Sequence, residues 1–213
     1  DGQLGLNGTD RVIAKEDSTL RHMKNLDVVI GSEQTILIVD DSAHVWPHHA
    51  KQLLVPKRYL FFDQPLPHRE RNELRASRGF LSAGGDEAEG GGQLECVLAA
   101  LTDVHAHFFR KFDSLQATSS FPFPQVDVRD SLVAVRRQVL AGQCLLFSHV
   151  IPLGEHASPE RHFAWRLALE LGATPTLEIA HSSRLTVTHL VAGCAGTDKA
   201  RWAASQPTVH VVT

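Results

Sequence analysis

The run Thr35-Ile-Leu-Ile-Val39 feeds directly into Asp40-Asp41, followed at once by Ser42-Ala-His-Val-Trp-Pro-His-His49. Five residues, four of them aliphatic, ending in two adjacent carboxylates describe a buried strand of a parallel sheet that delivers acids to its carboxyl end. Ligands of open α/β sheets bind outside those carboxyl ends. Two neighbouring acids repel each other unless a cation or a basic side chain compensates them. The pair therefore points to a divalent ion, and Mg2+ suits an all-oxygen site best. The plain alternative is a solvated turn after a buried strand.

The rest of the chain alternates in the same way. Asn25-Leu-Asp-Val-Val-Ile30 precedes the main strand as a further strand or a short helical turn, and Arg11-Val-Ile-Ala14 is a short strand candidate. Arg58-Tyr-Leu-Phe-Phe62 is a third apolar piece and ends at a Pro-rich stretch. From His68 to Gly92 the sequence is charged and then Gly/Glu-rich, which reads as a surface insertion. Leu94, Val97, Leu98, Leu101, Val104 and Phe108 then trace one apolar helical face. After Ser119-Ser-Phe-Pro-Phe-Pro124, which resists helix, Asp127 or Asp130 can cap a helix carrying Leu132, Val135 and Val139, closed by Gly142.

The last 70 or so residues read as a separate small module. Cys144-Leu-Leu-Phe147, Thr176-Leu-Glu-Ile179, Val187-Thr-His-Leu-Val191 and Thr208-Val-His-Val-Val212 are strand candidates. Pro159 opens a helix with Ala164, Leu167, Ala168 and Leu171 on one face, and Gly172 closes it. Thr197 to Ser205 is a shorter helix. This order predicts a small, mostly parallel sheet flanked by helices.

Bulk properties narrow the function classes. A net charge of -3 gives no electrostatic reason for nucleic-acid or acidic-membrane binding. No apolar run approaches the ~20 residues of a membrane span. Cys96, Cys144 and Cys194 are far apart and odd in number, against a zinc site or a disulfide framework and in favour of a reducing compartment. The chain begins at Asp1 with no basic-then-apolar leader and reads as a fragment. His105 and His107, two apart on a helix, face different ways and make no metal pair. His48 and His49 are read as surface or supporting groups, and Trp46, Tyr59, Phe61 and Phe62 as core.

Taken in order, Asp10-Arg-Val-Ile13, Lys24-Asn-Leu26, Ile38-Val-Asp-Asp-Ser42, Val45-Trp-Pro-His48 and Arg58-Tyr-Leu-Phe-Phe62 resemble the FCP-type phosphatases acting on the C-terminal repeat domain (CTD) of RNA polymerase II. Leu171-Gly-Ala173, Val187-Thr-His-Leu-Val191 and Gly196-Thr-Asp-Lys-Ala-Arg-Trp202 resemble a BRCT domain, which follows the catalytic domain in larger members. The resemblance implies an α/β chain. It would comprise the C-terminal part of a Rossmann-like, haloacid-dehalogenase-type phosphatase domain (1–67), a low-complexity insertion (68–92), a helix and linker (93–125) and a BRCT domain (126–213).

It also implies a reaction. An Asp of a DxDxT motif attacks phosphoserine to form an aspartyl-phosphate, while Mg2+ and a lysine stabilise the phosphoryl oxygens. Lys24 matches that lysine, Asp40 and Asp41 the late acidic part of the Mg2+ site, and Arg11, less securely Asp17, a position near the substrate. No DxDxT occurs in these 213 residues, so the chain by itself is expected to be inactive. In the BRCT-like part, Ser148, Thr197 and Lys199 match the positions that hold phosphopeptide phosphate. The implied partners are the phosphorylated polymerase CTD and transcription factors, in the nucleus. The competing reading is an inactive phosphatase remnant joined to a binding scaffold.

Overall fold

The computed structural model describes residues 19–20, 22–59, 91–118, 125–179 and 186–213. The Arg11–Ala14 strand candidate, Phe61 and Phe62, most of the 68–92 insertion and the Pro-rich linker lie outside those residues. The chain divides into two compact units, Asp1–Ser131 and Leu132–Thr213.

In the first unit, β1 (Ile38–Val39) pairs in parallel with β2 (Leu53–Leu54), with Ile38 opposite Leu53 and Val39 opposite Leu54. The Asp40 amide donates to Leu54 O at 3.1 Å and carries the pairing one residue further. A small core of Leu26, Ile38 and Leu53, with Val29, Ile36 and Trp46 against it, holds the two strands. The long buried strand expected over 35–39 is shorter and one-sided. Glu33–Thr35 form a 3-10 turn, Ile38 is buried and Val39 points outward. Ser32 diverts the chain because its carbonyl accepts from both the Thr35 amide and the Thr35 hydroxyl. Of the two alternatives for residues 25–30, the turn holds, over 26–30.

Helix α1 (Gln93–Thr118) occupies the predicted position and runs further than the apolar spacing suggested. Its covered stripe contains Val97, Leu101, Val104 and Phe108, while Leu94 and Leu98 are exposed. Leu98 lies about 120° round the helix from Val104 at ~100° per residue, which takes it off the stripe. Helix α2 (Val128–Gln138) starts where Asp127 Oδ1 accepts from the Arg129 amide at 2.8 Å, so Asp127 is the cap. The Arg129 side chain folds back onto the same carboxylate, with Nη2 2.5 Å from Oδ2. Gly142 has the positive φ of a closing glycine, but it sits in the turn four residues after the helix ends.

The second unit is a four-stranded, all-parallel sheet in the order β4-β3-β5-β6, made of β3 (Cys144–Ser148), β4 (Thr174–Thr176), β5 (His189–Ala192) and β6 (His210–Val212). Helix α3 (Phe163–Glu170) covers Leu145 and Phe147 through Ala168 and Trp165. Helix α4 (Asp198–Ala204) covers Leu146, Leu190 and Ala192 on the other face through Ala203 and Trp202. Every residue of β3 is buried, as a central strand with both faces covered requires.

Two expectations about α3 change. Pro159 opens a separate 3-10 turn, Pro159–Arg161, and the α-helix starts after His162, whose Nδ1 accepts from the Ala164 amide. Trp165 faces the sheet in place of Leu167, which is largely exposed. Strand β4 begins two residues earlier than expected and ends at Thr176, whose hydroxyl bonds with Glu178 in a turn. Gly172 does close the α3 segment. Its φ is 91°, and a Cβ there would stand 1.9 Å from Arg137 O, so both conformation and space require glycine.

Candidate active site

The acids at the end of β1 have different environments. Asp40 is the enclosed one, its side chain 12% exposed. Its Oδ2 accepts from Lys24 Nζ at 2.5 Å and from Trp46 Nε1 at 3.0 Å, and its Oδ1 from the Ser42 amide at 2.8 Å. Partial burial pushes the Asp40 carboxyl upward. Donation from Lys24, Trp46 and the Ser42 amide, with the lysine's charge, outweighs that burial and holds the carboxyl below its ordinary range. Asp41 is more open. Its Oδ2 accepts from Arg58 Nε at 3.1 Å and its Oδ1 from Ser42 Oγ at 2.8 Å, while Arg58 Nη2 donates to that same hydroxyl at 2.6 Å.

Lys24 reaches Asp40 because its own backbone is fixed. Its amide donates to Val45 O at 2.7 Å, which draws the 24–26 segment against the loop after the acids. The ammonium also stands 5.8 Å from the centre of the Trp46 ring. More than half of the lysine side chain remains exposed, at 56%, so the cation is anchored on one side and open on the other. Beneath it, buried His49 contributes a contact from Nε2 to Asn25 Oδ1 at 2.7 Å. The same oxygen accepts from the Leu26 amide, so Asn25 acts as acceptor and His49 as donor.

The like charges at Asp40 and Asp41 are each matched by a basic side chain, Lys24 and Arg58. All four carboxylate oxygens already accept at least one protein donor. Mg2+ takes six oxygens in near-octahedral order. Among the described residues no group of three or more His, Cys, Asp or Glu side chains converges to hold a metal. Asp40 and Asp41 retain lone pairs and can contribute to a cation site, but the described residues do not make one alone.

Of the sequence-predicted residues, the structure brings Lys24, Asp40 and Asp41 together, while Arg11 lies outside the described residues. Three supporting side chains were not assigned a site role from sequence: Arg58, Ser42 and Trp46. All three fall inside the quoted motif stretches, which was the available signal. Of the two readings for His49, the supporting one holds, since it is buried against Asn25, and Tyr59 is exposed rather than in the core.

In the second unit, Ser148, Thr197 and Lys199 also meet, at the carboxyl end of β3. Ser148 Oγ lies 3.1 Å from Thr197 Oγ1, which accepts from the Ala200 amide and caps α4. Lys199 turns inward. Its Nζ donates to Phe147 O at 3.2 Å and to Leu177 O, tying the ends of β3 and β4. Burial holds the Lys199 ammonium below its ordinary range, against the opposing pull of Glu178. The three groups are thus engaged within the unit.

Each unit is a parallel α/β arrangement, and the first carries a Lys–Asp pair at the end of its β1 strand. The solved structure of Fcp1, an essential RNA polymerase II CTD phosphatase, superposes with a TM-score of 0.57 at 23% identity, covering 96% of this chain and 62% of that one. By sequence the chain is similar to CTD phosphatase-like proteins, and it spans less than half the length of the curated relatives that it matches. It is 41% identical over 199 residues to RNA polymerase II C-terminal domain phosphatase-like 4 of Arabidopsis thaliana, covering 91% of this chain and 40% of that protein. It is 35% identical over 202 residues to phosphatase-like 3 of the same plant, covering 95% of this chain and 15% of that protein. No family model matches the chain.

Proposed function

We propose that this chain is part of a protein serine/threonine phosphatase that removes phosphate from the C-terminal repeat domain of RNA polymerase II, in the nucleus. The observation that carries this reading is the Lys24–Asp40 contact at the end of β1, in a chain 41% identical to a CTD phosphatase-like protein.

Lys24 places a half-exposed ammonium where phosphoryl oxygens can approach it, and Asp40 fixes that ammonium from the opposite side. Trp46 and the Ser42 amide hold Asp40 in turn, while Arg58 and Ser42 hold Asp41. Arg11 is proposed to lie near the substrate. The nucleophilic aspartate comes from a DxDxT motif that these 213 residues lack. Asp40 and Asp41 would contribute to a Mg2+ site completed by donors from the part of the longer relatives that this chain does not span. The ion, when bound, supplies positive charge to the phosphoryl group.

The second unit, with its parallel β4-β3-β5-β6 sheet between α3 and α4, would serve as a BRCT-type module for transcription partners. Phosphate binding by Ser148, Thr197 and Lys199 would require Lys199 to leave two carbonyls. The scaffold-only reading has no better support than the enzyme.

A chain extended upstream through a DxDxT segment should release phosphate from a phosphoserine CTD-repeat peptide only with Mg2+ present. The 213-residue chain should release none. Failure of the extended chain to hydrolyse the peptide, with its fold intact, would refute the reading.

A further inference from the structure

The second unit carries a pair of imidazoles that the phosphatase reading does not use. His189 and His210 stand opposite each other on neighbouring parallel strands, β5 and β6. Residues in register on adjacent strands place their side chains on the same face of the sheet. The rings are 5.1 Å apart between centres and tilted by 35°. His189 is half-buried and His210 exposed, so the pair is open to solvent on one side.

A neighbouring hydroxyl engages one nitrogen of this pair. Thr188 Oγ1 accepts from the Cys144 amide at 2.9 Å and donates its single proton to Cys144 O at 3.1 Å. The same oxygen lies 3.0 Å from His189 Nδ1 and so engages that ring nitrogen. With the hydroxyl proton directed to Cys144 O, His189 carries its own proton on Nδ1 and keeps the Nε2 lone pair for a ligand. A histidine whose one nitrogen is held as a donor by a neighbour while the other faces outward is prepared as a metal ligand.

We propose that His189 and His210 form a two-imidazole site for a late first-row divalent cation, with Cu2+ bound most tightly and Zn2+ more weakly. Neutral imidazole suits these ions, and their order of affinity follows the general ranking for nitrogen ligands. Two protein ligands leave the remaining positions to water, so the site is exchangeable and at the surface. It is independent of the Mg2+ reading at Asp40 and Asp41, which uses hard oxygen donors in the other unit.

The test is titration of the 213-residue chain with Cu2+, followed by histidine side-chain NMR and electron paramagnetic resonance. The first equivalent should broaden the His189 and His210 ring signals before any others and show two coordinated nitrogens. His189 should give the spectrum of an Nδ1–H tautomer before metal is added. His189→Gln and His210→Gln should each abolish the first-equivalent step, whereas His22→Gln should leave it intact. Thr188→Val, which removes the oxygen that engages His189 Nδ1, should weaken it about tenfold. Amide spectra establish that each variant is folded, and His210 lies at an exposed edge position where substitution is tolerated. A first equivalent bound at other imidazoles, its survival in folded His210→Gln, or an Nε2–H tautomer at His189 would overturn the proposal.

Discussion

Replacing Asp40 and Asp41 one at a time should show that these adjacent acids do different work. In Asp40→Ala, the Trp46 indole N–H and the Ser42 amide lose their acceptor in a half-buried setting, at about 1 kcal/mol each. Lys24, half-exposed, returns to solvent and adds less than ~1 kcal/mol. The total is about 2–3 kcal/mol. In Asp41→Ala, a partly exposed pair with Arg58 is lost, at a cost below about 1 kcal/mol. Hydrogen–deuterium exchange over residues 22–59 reads these costs as local opening free energies. The pH dependence has a definite sign. A carboxyl held below its unfolded value of ~3.9 contributes fully above that pH and loses its contribution as pH falls through the folded value. The wild-type segment should therefore open more readily below about pH 4, and Asp40→Ala should lack that component. Equal costs for the two substitutions, or a larger one for Asp41→Ala, would refute the reasoning.

Other substitutions probe the frame around the site. Asp127→Ala removes the α2 cap and should cost about 1 kcal/mol in thermal or urea unfolding at neutral pH. That cost should shrink in acid, because donation from Arg129 holds the Asp127 carboxyl below its ordinary range. Gly172→Ala should destabilise the second unit by at least ~1 kcal/mol from its positive φ alone, with the Arg137 carbonyl adding more. Lys199→Met leaves the Phe147 and Leu177 carbonyls without their donor and should lower the unit's stability by about 1–3 kcal/mol in thermal denaturation.

The sequence was most legible where one local pattern controlled the outcome. The apolar spacing from Leu94 to Phe108 located α1, and the cap candidates Asp127 and Asp130 marked the start of α2, where Asp127 is the cap. The short apolar strands of the second unit came out in parallel order because Cys144–Ser148 is uniformly apolar up to its last residue. It was least legible where tertiary contacts overrode propensity. Thr35 was read as strand, but Ser32 captures its amide and hydroxyl in a turn. Pro159 was read as a helix start, but His162 supplies the cap three residues later.

At the site, adjacency of Asp40 and Asp41 was visible, but not that each acid had its own cation. Lys24 lies 16 residues before its partner and Arg58 17 after, distances at which no periodicity connects side chains. Ordered family-like motifs placed Lys24 at the site, but gave Arg58 no role there. Lys199 shows the opposite limit. Its position matched a phosphate contact, yet the side chain bonds to two carbonyls of its own sheet, a direction that position alone does not determine.

The central claim is that the Lys24–Asp40 pair belongs to a phosphoryl-transfer site. Its most direct test is the turnover of a phosphoserine CTD-repeat peptide by the upstream-extended protein and its Lys24→Met variant, each checked for fold. Loss of one preorganised charge aimed at the transferring group should lower kcat by about 10²–10³-fold. Unchanged kcat in folded Lys24→Met would contradict the account.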